Sequence, residues 1–447
     1  MKVQGGKYLM FDCKKIVVVG LGYIGLPTAV VLANNGFQVR GVDINTSNVN
    51  RINRGEIPFV EPGLEDQLAQ VVADGNLTAT TETPRGDAYI IAVPTPFTDN
   101  YEGDLSYIRA AVKNIAPNLR GGELIILEST SPPRTTQKMA QYLIECRPDL
   151  SIDGMHDKPT IHIAHCPERV LPGKVMEEII SNDRIVGGLT PEATKRSSFL
   201  YKTFCTGAIL ETDDVTAEMA KLTENSYRDV NIAFANELSL IADKLGIDVW
   251  ELIELANHHP RVNVLQPGPG VGGHCIAVDP WFIVSAAPEE SQLIRTAREV
   301  NDNKPRWVIE KVKQAAAGIE NPTIAALGLS FKPNIDDLRE SPALDITRSL
   351  AQQIPNGLIL AAEPNVVNLP ARLAELTNVI FAEYLDAIKR ADIVVLLVDH
   401  IQFRTLPKGI LEGKTIVDTK GQWRTSKQGA RTTTSSLPIV PFPGLVS

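Results

Sequence analysis

The sequence predicts an α/β protein: two Rossmann-like, doubly wound lobes joined by a long central helix. Three observations carry that expectation. Strand-like apolar runs alternate with helical periodicity up to about residue 205 and again from about residue 323. Between these regions, "TAEMAKLTENSYRDVNIAFANELSLIADKLGI" holds no proline and no glycine before Gly246. The first strand is followed at once by a glycine turn and a helical pattern, the opening of a nucleotide-binding βαβ unit.

The elements follow in order. "KKIVVVGLGYIGLPTAVVLANNGFQVRGVDIN" reads as strand, glycine turn, helix ending at Asn34-Asn35-Gly36, and second strand. Ile16–Val39 carries no charge and is long enough to span a bilayer, but Gly20, Gly22, Gly25 and Pro27 interrupt it. "DAYIIAVPTP", "SYIRAAVKNIAPNL" and "ELIILEST" continue the alternation. In the glycine-free stretch, Leu222, Tyr227, Val230, Phe234 and Leu238 recur at helical spacing. "TIAALGLSF", "PALDITRSLAQQI", "GLILAAEP", "DAIKRADIVVLLVDH" and "TIVDTKG" build the second lobe, with no repeat visible residue by residue. The expected divisions are an N-terminal extension (1–14), a dinucleotide-binding lobe (15–205), a central helical segment (206–315), a second α/β lobe (316–428) and a polar, proline-rich disordered tail (429–447).

Composition narrows the function. Of the 447 residues, 43% are hydrophobic and 22% charged, as in ordinary globular proteins, and the net charge of -9 argues against nucleic acid as a partner. Cys13, Cys146, Cys166, Cys205 and Cys275 form no C-x-x-C pair, so a reduced, cytoplasmic protein is expected. The first residues lack the apolar core of a signal peptide, and no membrane segment is expected. His162 and His165 in "HIAHC" fall on opposite faces of a strand, so no metal site is expected there.

Gly20, Gly22 and Gly25 stand in G-x-G-x-x-G register between strand and helix, and Asp43 ends the next strand. A carboxylate there accepts hydrogen bonds from ribose hydroxyls and repels a 2′-phosphate, so the expected cofactor is NAD; a ligand-free glycine turn is the bland alternative. In "GPGVGGHCIAVDPWF", Cys275 follows four glycines that let the backbone bend and approach a ligand, which suits a nucleophile better than a packing cysteine. Lys221, Asn225 and Arg228, spaced i, i+4 and i+7, line one helix face where a cation and an amide could stabilise an oxyanion.

On "GLGYIGLPTA", "AVPTPF", "LESTSP", "CPERVLPG", "AEMAKLTENSYRDVNIAFANELS", "HPRVNVLQPGPGVGGHCIAVDPWF" and "FKPNIDDLRESPA", the chain resembles the nucleotide-sugar 6-dehydrogenases, the group containing UDP-glucose dehydrogenase, over residues 15 to about 425. The resemblance implies NAD-dependent oxidation of a sugar C6 alcohol to a carboxylate, through a thiohemiacetal and a thioester on Cys275. It makes Lys221 a proton donor or acceptor, places Asn225 and Arg228 near the substrate, and assigns proton transfer to Asp279 and water activation to Glu168; either carboxylate could instead be a structural ion-pair partner. It further implies NAD contacts from Tyr23, Ile24, Thr95, Thr130 and Arg339. Arg169, Val170, His259, Arg261, Gly272, Lys332 and Arg424 would hold the UDP-sugar, with Arg261 supplied by a neighbouring subunit in some members. The implied assembly is a homodimer through the central helical segment.

His274 and Val278 stand where the glucose-acting branch has Ser and Lys, which matches the branch acting on UDP-N-acetyl sugars. Motif similarity favours the mannosamine epimer, for bacterial surface polysaccharide precursors, over N-acetylglucosamine; no physical argument from sequence fixes C2. Arg134 occupies a position usually glycine, so either strain or a rebuilt turn is expected there. Two other classes fit parts of the pattern: a single-step hydroxy-acid dehydrogenase, which needs no cysteine, and an inactive nucleotide-sugar sensor.

Overall fold

The computed structural model describes residues 13–98, 102–171, 173–273 and 275–424. The expectations for the N-terminal extension up to residue 12, for His274 and for the C-terminal tail fall outside them. The chain forms two compact units. The first comprises the chain up to Val249 with Leu255–Leu265 and Gly270–Lys304; the second comprises Trp250–Glu254, Gln266–Pro269 and the chain from Pro305 onward.

Among the described residues, the first unit holds eight strands: β1 (Lys15–Val19), β2 (Gln38–Val42), β3 (Leu77–Thr80), β4 (Ala88–Ile91), β5 (Leu124–Leu127), β6 (His162–His165), β7 (Arg184–Gly188) and β8 (Ile209–Asp213). Their order is β3-β2-β1-β4-β5-β6-β7-β8, parallel throughout except where β7 pairs antiparallel with β6. The central strands β1, β4 and β5 are apolar without alternation beyond Lys15 because both faces are covered. Ile16, Val18, Ile90 and Ile126 pack in one core cluster, while Val17, Tyr89, Ile91 and Ile125 pack in another.

The second unit has β9 (Thr323–Leu327), β10 (Leu358–Ala362), β11 (Val379–Phe381), β12 (Ile393–Leu396) and β13 (Thr415–Asp418), all parallel, in the order β11-β10-β9-β12-β13. This repeats the order of the first five strands of the other sheet, and the likeness extends to the turns. Gly20 (φ 93°) donates to Val42 O at 2.8 Å, and Gly328 (φ 88°) donates to Ala362 O at 2.8 Å. The next amide in each lobe donates to the carboxylate that ends the second strand, Leu21 to Asp43 at 3.0 Å and Leu329 to Glu363 at 2.8 Å. The repeat hidden in the residues is plain in the backbone.

Five helices position the site: α1 (Gly25–Asn34), α2 (Thr135–Cys146), α3 (Asp214–Leu245), α4 (Asp279–Ala286) and α5 (Gln292–Ala316). The long central helix is α3, 32 residues, opened by the Asp213 side chain accepting from Thr216 N and closed by Gly246 in the left-handed region at φ 69°. The chain passes into the second unit along α5, which contains Pro305. The expected fold class holds. Among the described residues, no helix is long and apolar enough to cross a membrane.

Candidate active site

The turn between β1 and α1 is shaped for a close ligand. A Cβ on Gly25 would lie 1.8 Å from Gly20 O, and one on Gly20 would lie 2.6 Å from Ala92 O, so only glycine closes the turn. A Cβ on Gly22 would meet nothing within 4 Å, which leaves its backbone open to an approaching pyrophosphate. Asp43 is oriented by two amides, Leu21 N at 3.0 Å and Asn45 N at 2.8 Å. The Tyr23 ring lies beside the Phe59 ring at 4.2 Å, Ile24 ends the turn, and the buried Thr95 Oγ1 has no hydrogen-bond partner among the described residues. These residues fit NAD.

Thr130 lies in the half-buried loop that leads from β5 to α2. Arg134 takes the strained alternative: it sits at φ 68°, ψ 16°, immediately before α2. What holds it there is Glu218 of α3. The Glu218 carboxylate accepts from Arg134 N at 2.5 Å, Thr136 N at 2.7 Å and Thr136 Oγ1 at 2.6 Å, capping α2 from another helix. Burial pushes the Glu218 carboxyl up to about 7 against those three donors. Glu218 stands one turn before Lys221, so the loop carrying Thr130 is tied to the helix carrying the predicted catalytic pair.

Along the same face, Asn225 Nδ2 donates to Asp279 Oδ2 at 2.6 Å. Asp279 begins α4 and is 3% exposed. Its carboxyl is pushed up to about 6 by burial, opposed by the Asn225 hydrogen bond and the Lys221 charge. Cys275 is exposed and outside any disulfide, and its carbonyl accepts from Val278 N and Asp279 N at 3.0 and 2.8 Å. The cysteine therefore sits one turn ahead of Asp279, in the turn that leads into α4, with Gly272 and Gly273 before it. Arg228 is exposed on α3. The structure thus brings Lys221, Asn225 and Asp279 together on one face.

Val278 does not line an open cavity. It is 2% exposed and packs with Leu222, Phe282 and Ile283, so its difference from the glucose-acting branch changes the packing beneath the cysteine turn.

Glu168 is more constrained than its expected role suggests. One oxygen accepts from Arg169 N at 2.7 Å, and the other accepts from the buried Arg184 Nη2 at 2.7 Å. Arg184 also faces Glu128 at 3.8 Å, and burial pushes that carboxyl up to about 7. Arg169 pairs with Glu224 of α3 at 2.6 Å, bringing this loop beside the Lys221–Asn225 segment, whereas Val170 packs against the lobe core. His259 and Arg261 are exposed in a loop braced by Asn257, whose side chain bonds both the N–H and the carbonyl of Val264.

In the second unit, Lys332 is exposed and Arg339 is held two-pronged by Asp337, with its shortest bond 2.7 Å. The Arg424 guanidinium lies 5.9 Å from the Trp250 ring centre. Among the described residues, no group of three His, Cys, Asp or Glu side chains could hold a metal ion. Sequence reasoning missed Glu218, Glu224, Arg184 and Asp229. The spacing 218, 221, 225, 229 on one helix face was the available signal for two of them.

A dinucleotide turn and, in the same unit, a helix that carries a lysine and an amide with a carboxylate partner define an NAD-dependent oxidoreductase. Comparison with known proteins narrows this. The UDP-glucose/GDP-mannose dehydrogenase family matches over its NAD binding domain (residues 14–205), central domain (215–303) and UDP binding domain (325–425), and the chain belongs to that family of NAD-dependent UDP-sugar dehydrogenases. It is 56% identical over 422 residues to the NDP-N-acetyl-D-galactosaminuronic acid dehydrogenase of Ralstonia nicotianae, covering 94% of this chain and 98% of that one. It is 54% identical over 418 residues to the UDP-N-acetyl-D-mannosamine dehydrogenase of Salmonella typhi, covering 92% and 99%. Among solved structures it resembles the UDP-N-acetyl-mannosamine dehydrogenase of Staphylococcus aureus, with TM-score 0.80 and 42% identity over 92% of this chain and 96% of that one.

Proposed function

We propose that the protein oxidises C6 of UDP-N-acetyl-D-mannosamine to the carboxylate in two steps, through a covalent adduct on Cys275. The observation that carries this reading is the Asn225–Asp279 pair at 2.6 Å, one turn beyond an exposed cysteine on a glycine-rich turn. NAD, when bound at the β1–α1 turn, supplies the acceptor for the hydrides that an alcohol loses on becoming an acid, one hydride per NAD, so two NAD are used in succession for each sugar. Lys221 and Asn225 polarise the C6 oxygen, and Asp279 takes its proton through water. Loss of the first hydride from C6 leaves an aldehyde; the Cys275 thiolate then adds to its carbon, and Lys221 stabilises the resulting alkoxide. Loss of the second hydride leaves a thioester. Glu168, held by Arg184, orients the water that attacks it; the carboxylate departs and the thiol regains its proton. Arg169, Val170, Arg228, His259, Arg261, Gly272, Lys332 and Arg424 hold the UDP-sugar in this reading, while Tyr23, Ile24, Thr95, Thr130 and Arg339 serve NAD.

The mannosamine assignment is supported by the 54% identity to enzymes of that name. A galacto-configured 2-acetamido sugar is the second reading, favoured by the 56% identity to the Ralstonia protein. A panel of kcat/KM values for UDP-N-acetylmannosamine, UDP-N-acetylgalactosamine, UDP-N-acetylglucosamine and UDP-glucose decides. The 2-acetamido sugars should lead, because each buried donor left unmet by a missing acetamide costs about 1–3 kcal/mol. UDP-glucose equal to the best of them contradicts the branch, and a galacto preference replaces only the epimer.

The working assembly is a homodimer through α3. Tyr227, Phe234 and Ile241 are 72%, 53% and 46% exposed at seven-residue spacing, an apolar stripe that a second copy of the helix would cover.

A further inference from the structure

The cysteine turn is anchored to α3 at a second point, through the peptide next to the cysteine. Arg298 on α5 is wholly buried. Its Nη1 donates to Asp229 Oδ1 at 2.5 Å and to the carbonyl of Ile276, the residue after Cys275, at 3.4 Å. Its Nη2 donates to Asp302 at 2.7 Å. Asn301 Nδ2 donates to Asp229 Oδ1 at 2.7 Å and to Asp229 O at 3.0 Å, and Asn301 Oδ1 accepts from Asn236 at 2.8 Å. Asp229 stands one turn beyond Asn225 on α3. One helix therefore holds the turn at two points after its cysteine, through Asp229–Arg298–Ile276 at the next residue and through Asn225–Asp279 one turn on.

A buried guanidinium with carboxylate partners on two helices has a fixed orientation, because its planar fork cannot swing without leaving a charge unpaired. A hub that ties such a fork to the peptide next to a nucleophile sets where the sulfur points. We propose that Arg298 is a positioning residue for Cys275, acting through the Ile276 carbonyl, and that it favours capture of the aldehyde over its escape. The inference rests on the nucleophile role given to Cys275 above. The first hydride loss depends on Lys221, Asn225 and Asp279 and does not need the sulfur; the second does. A displaced turn should thus separate the two steps. Misplacement by about 1 Å costs reactions of this kind up to about a hundredfold.

The test is Arg298→Lys, which keeps the charge and loses the fork. Expected is a sugar KM within about twofold of the parent, acid formation slowed about tenfold to a hundredfold, free aldehyde trapped by hydroxylamine, and NADH per sugar falling from two toward one. Iodoacetamide labelling of the Cys275 peptide, followed by mass spectrometry across pH, should change in rate. A merely structural role would slow both steps together, with two NADH per sugar retained and labelling unchanged, and that result overturns the proposal. Should Arg298→Lys not fold, Asp229→Asn is read in the same way, and collapse of both variants counts against the proposal by making the hub a determinant of folding alone. Cys275→Ser, run alongside, separates the two claims. Two NADH per sugar from Cys275→Ser defeats the nucleophile reading itself, whereas its loss there with retention in Arg298→Lys defeats only the positioning role.

Discussion

Asn225 Nδ2 lies 2.6 Å from Asp279 Oδ2, joining the middle of the 32-residue helix α3 to the first residue of α4. The bond favours the ionised carboxylate, yet burial pushes that carboxyl up to about 6. If Asp279 must be ionised to take a proton, turnover should fall as pH drops through about 6. Asn225→Ala removes a group that lowers the pKa, so the acid limb of log kcat against pH should move upward. A limb that stays in place would mean that another group sets it.

Burial of the same group has a stability consequence. A carboxyl that ionises near 4 when unfolded and near 6 when folded favours the folded state at low pH, and that contribution is lost as pH rises through 6. Asp279→Asn should therefore raise stability at pH 8 relative to pH 4, by at most about 3 kcal/mol, while abolishing activity. Urea titrations at the two pH values measure this, and a pH-independent difference would contradict it.

Glu218 accepts three hydrogen bonds from the start of α2, so its removal strands buried donors. Glu218→Ala should cost about 2–4 kcal/mol and weaken NAD binding more than sugar binding, read by thermal melts and fluorescence titration. Arg134→Gly should act the other way. Relief of the left-handed backbone outweighs the entropy of an added glycine, giving a gain of up to about 1 kcal/mol.

Phe234→Asp places a charge in the centre of the exposed α3 stripe. The protein should become monomeric by light scattering while the NAD site of each chain still binds. A wild type that is already monomeric at micromolar concentration would remove the dimer from the account.

The parts of the fold and site legible in sequence are those that depend on local chemistry. Gly20, Gly22 and Gly25 announce a turn because no other residue fits it, and the uninterrupted run before Gly246 announces α3. Cys275 is conspicuous for its glycine-rich setting. The helix spacing could mark Glu218 and Asp229 but not what they hold, because Glu218 meets Arg134 84 residues away, Asp229 meets Arg298 69 residues away, and Arg298 reaches the backbone of the cysteine turn 22 residues back. Val278 marks a difference from the glucose-acting branch in the sequence, and its burial against Phe282 puts that difference in the packing beneath the cysteine turn. The likeness between Gly20–Asp43 and Gly328–Glu363 lies in hydrogen-bond geometry rather than in matching side chains, so it leaves no repeat in the residues.

Cys275→Ser should abolish acid formation while leaving NAD binding intact. A serine hydroxyl is far harder to ionise near neutral pH than a thiol, so a loss of several orders of magnitude is expected. Near wild-type acid production by that variant would remove Cys275 from the mechanism.

The most direct test of the account is the number of NADH molecules formed for each UDP-N-acetylmannosamine consumed by the unmodified protein, followed by absorbance at 340 nm with the sugar limiting. Capture of the aldehyde on Cys275 predicts two NADH per sugar with no aldehyde in solution. One NADH per sugar, with free aldehyde accumulating in step, would contradict it.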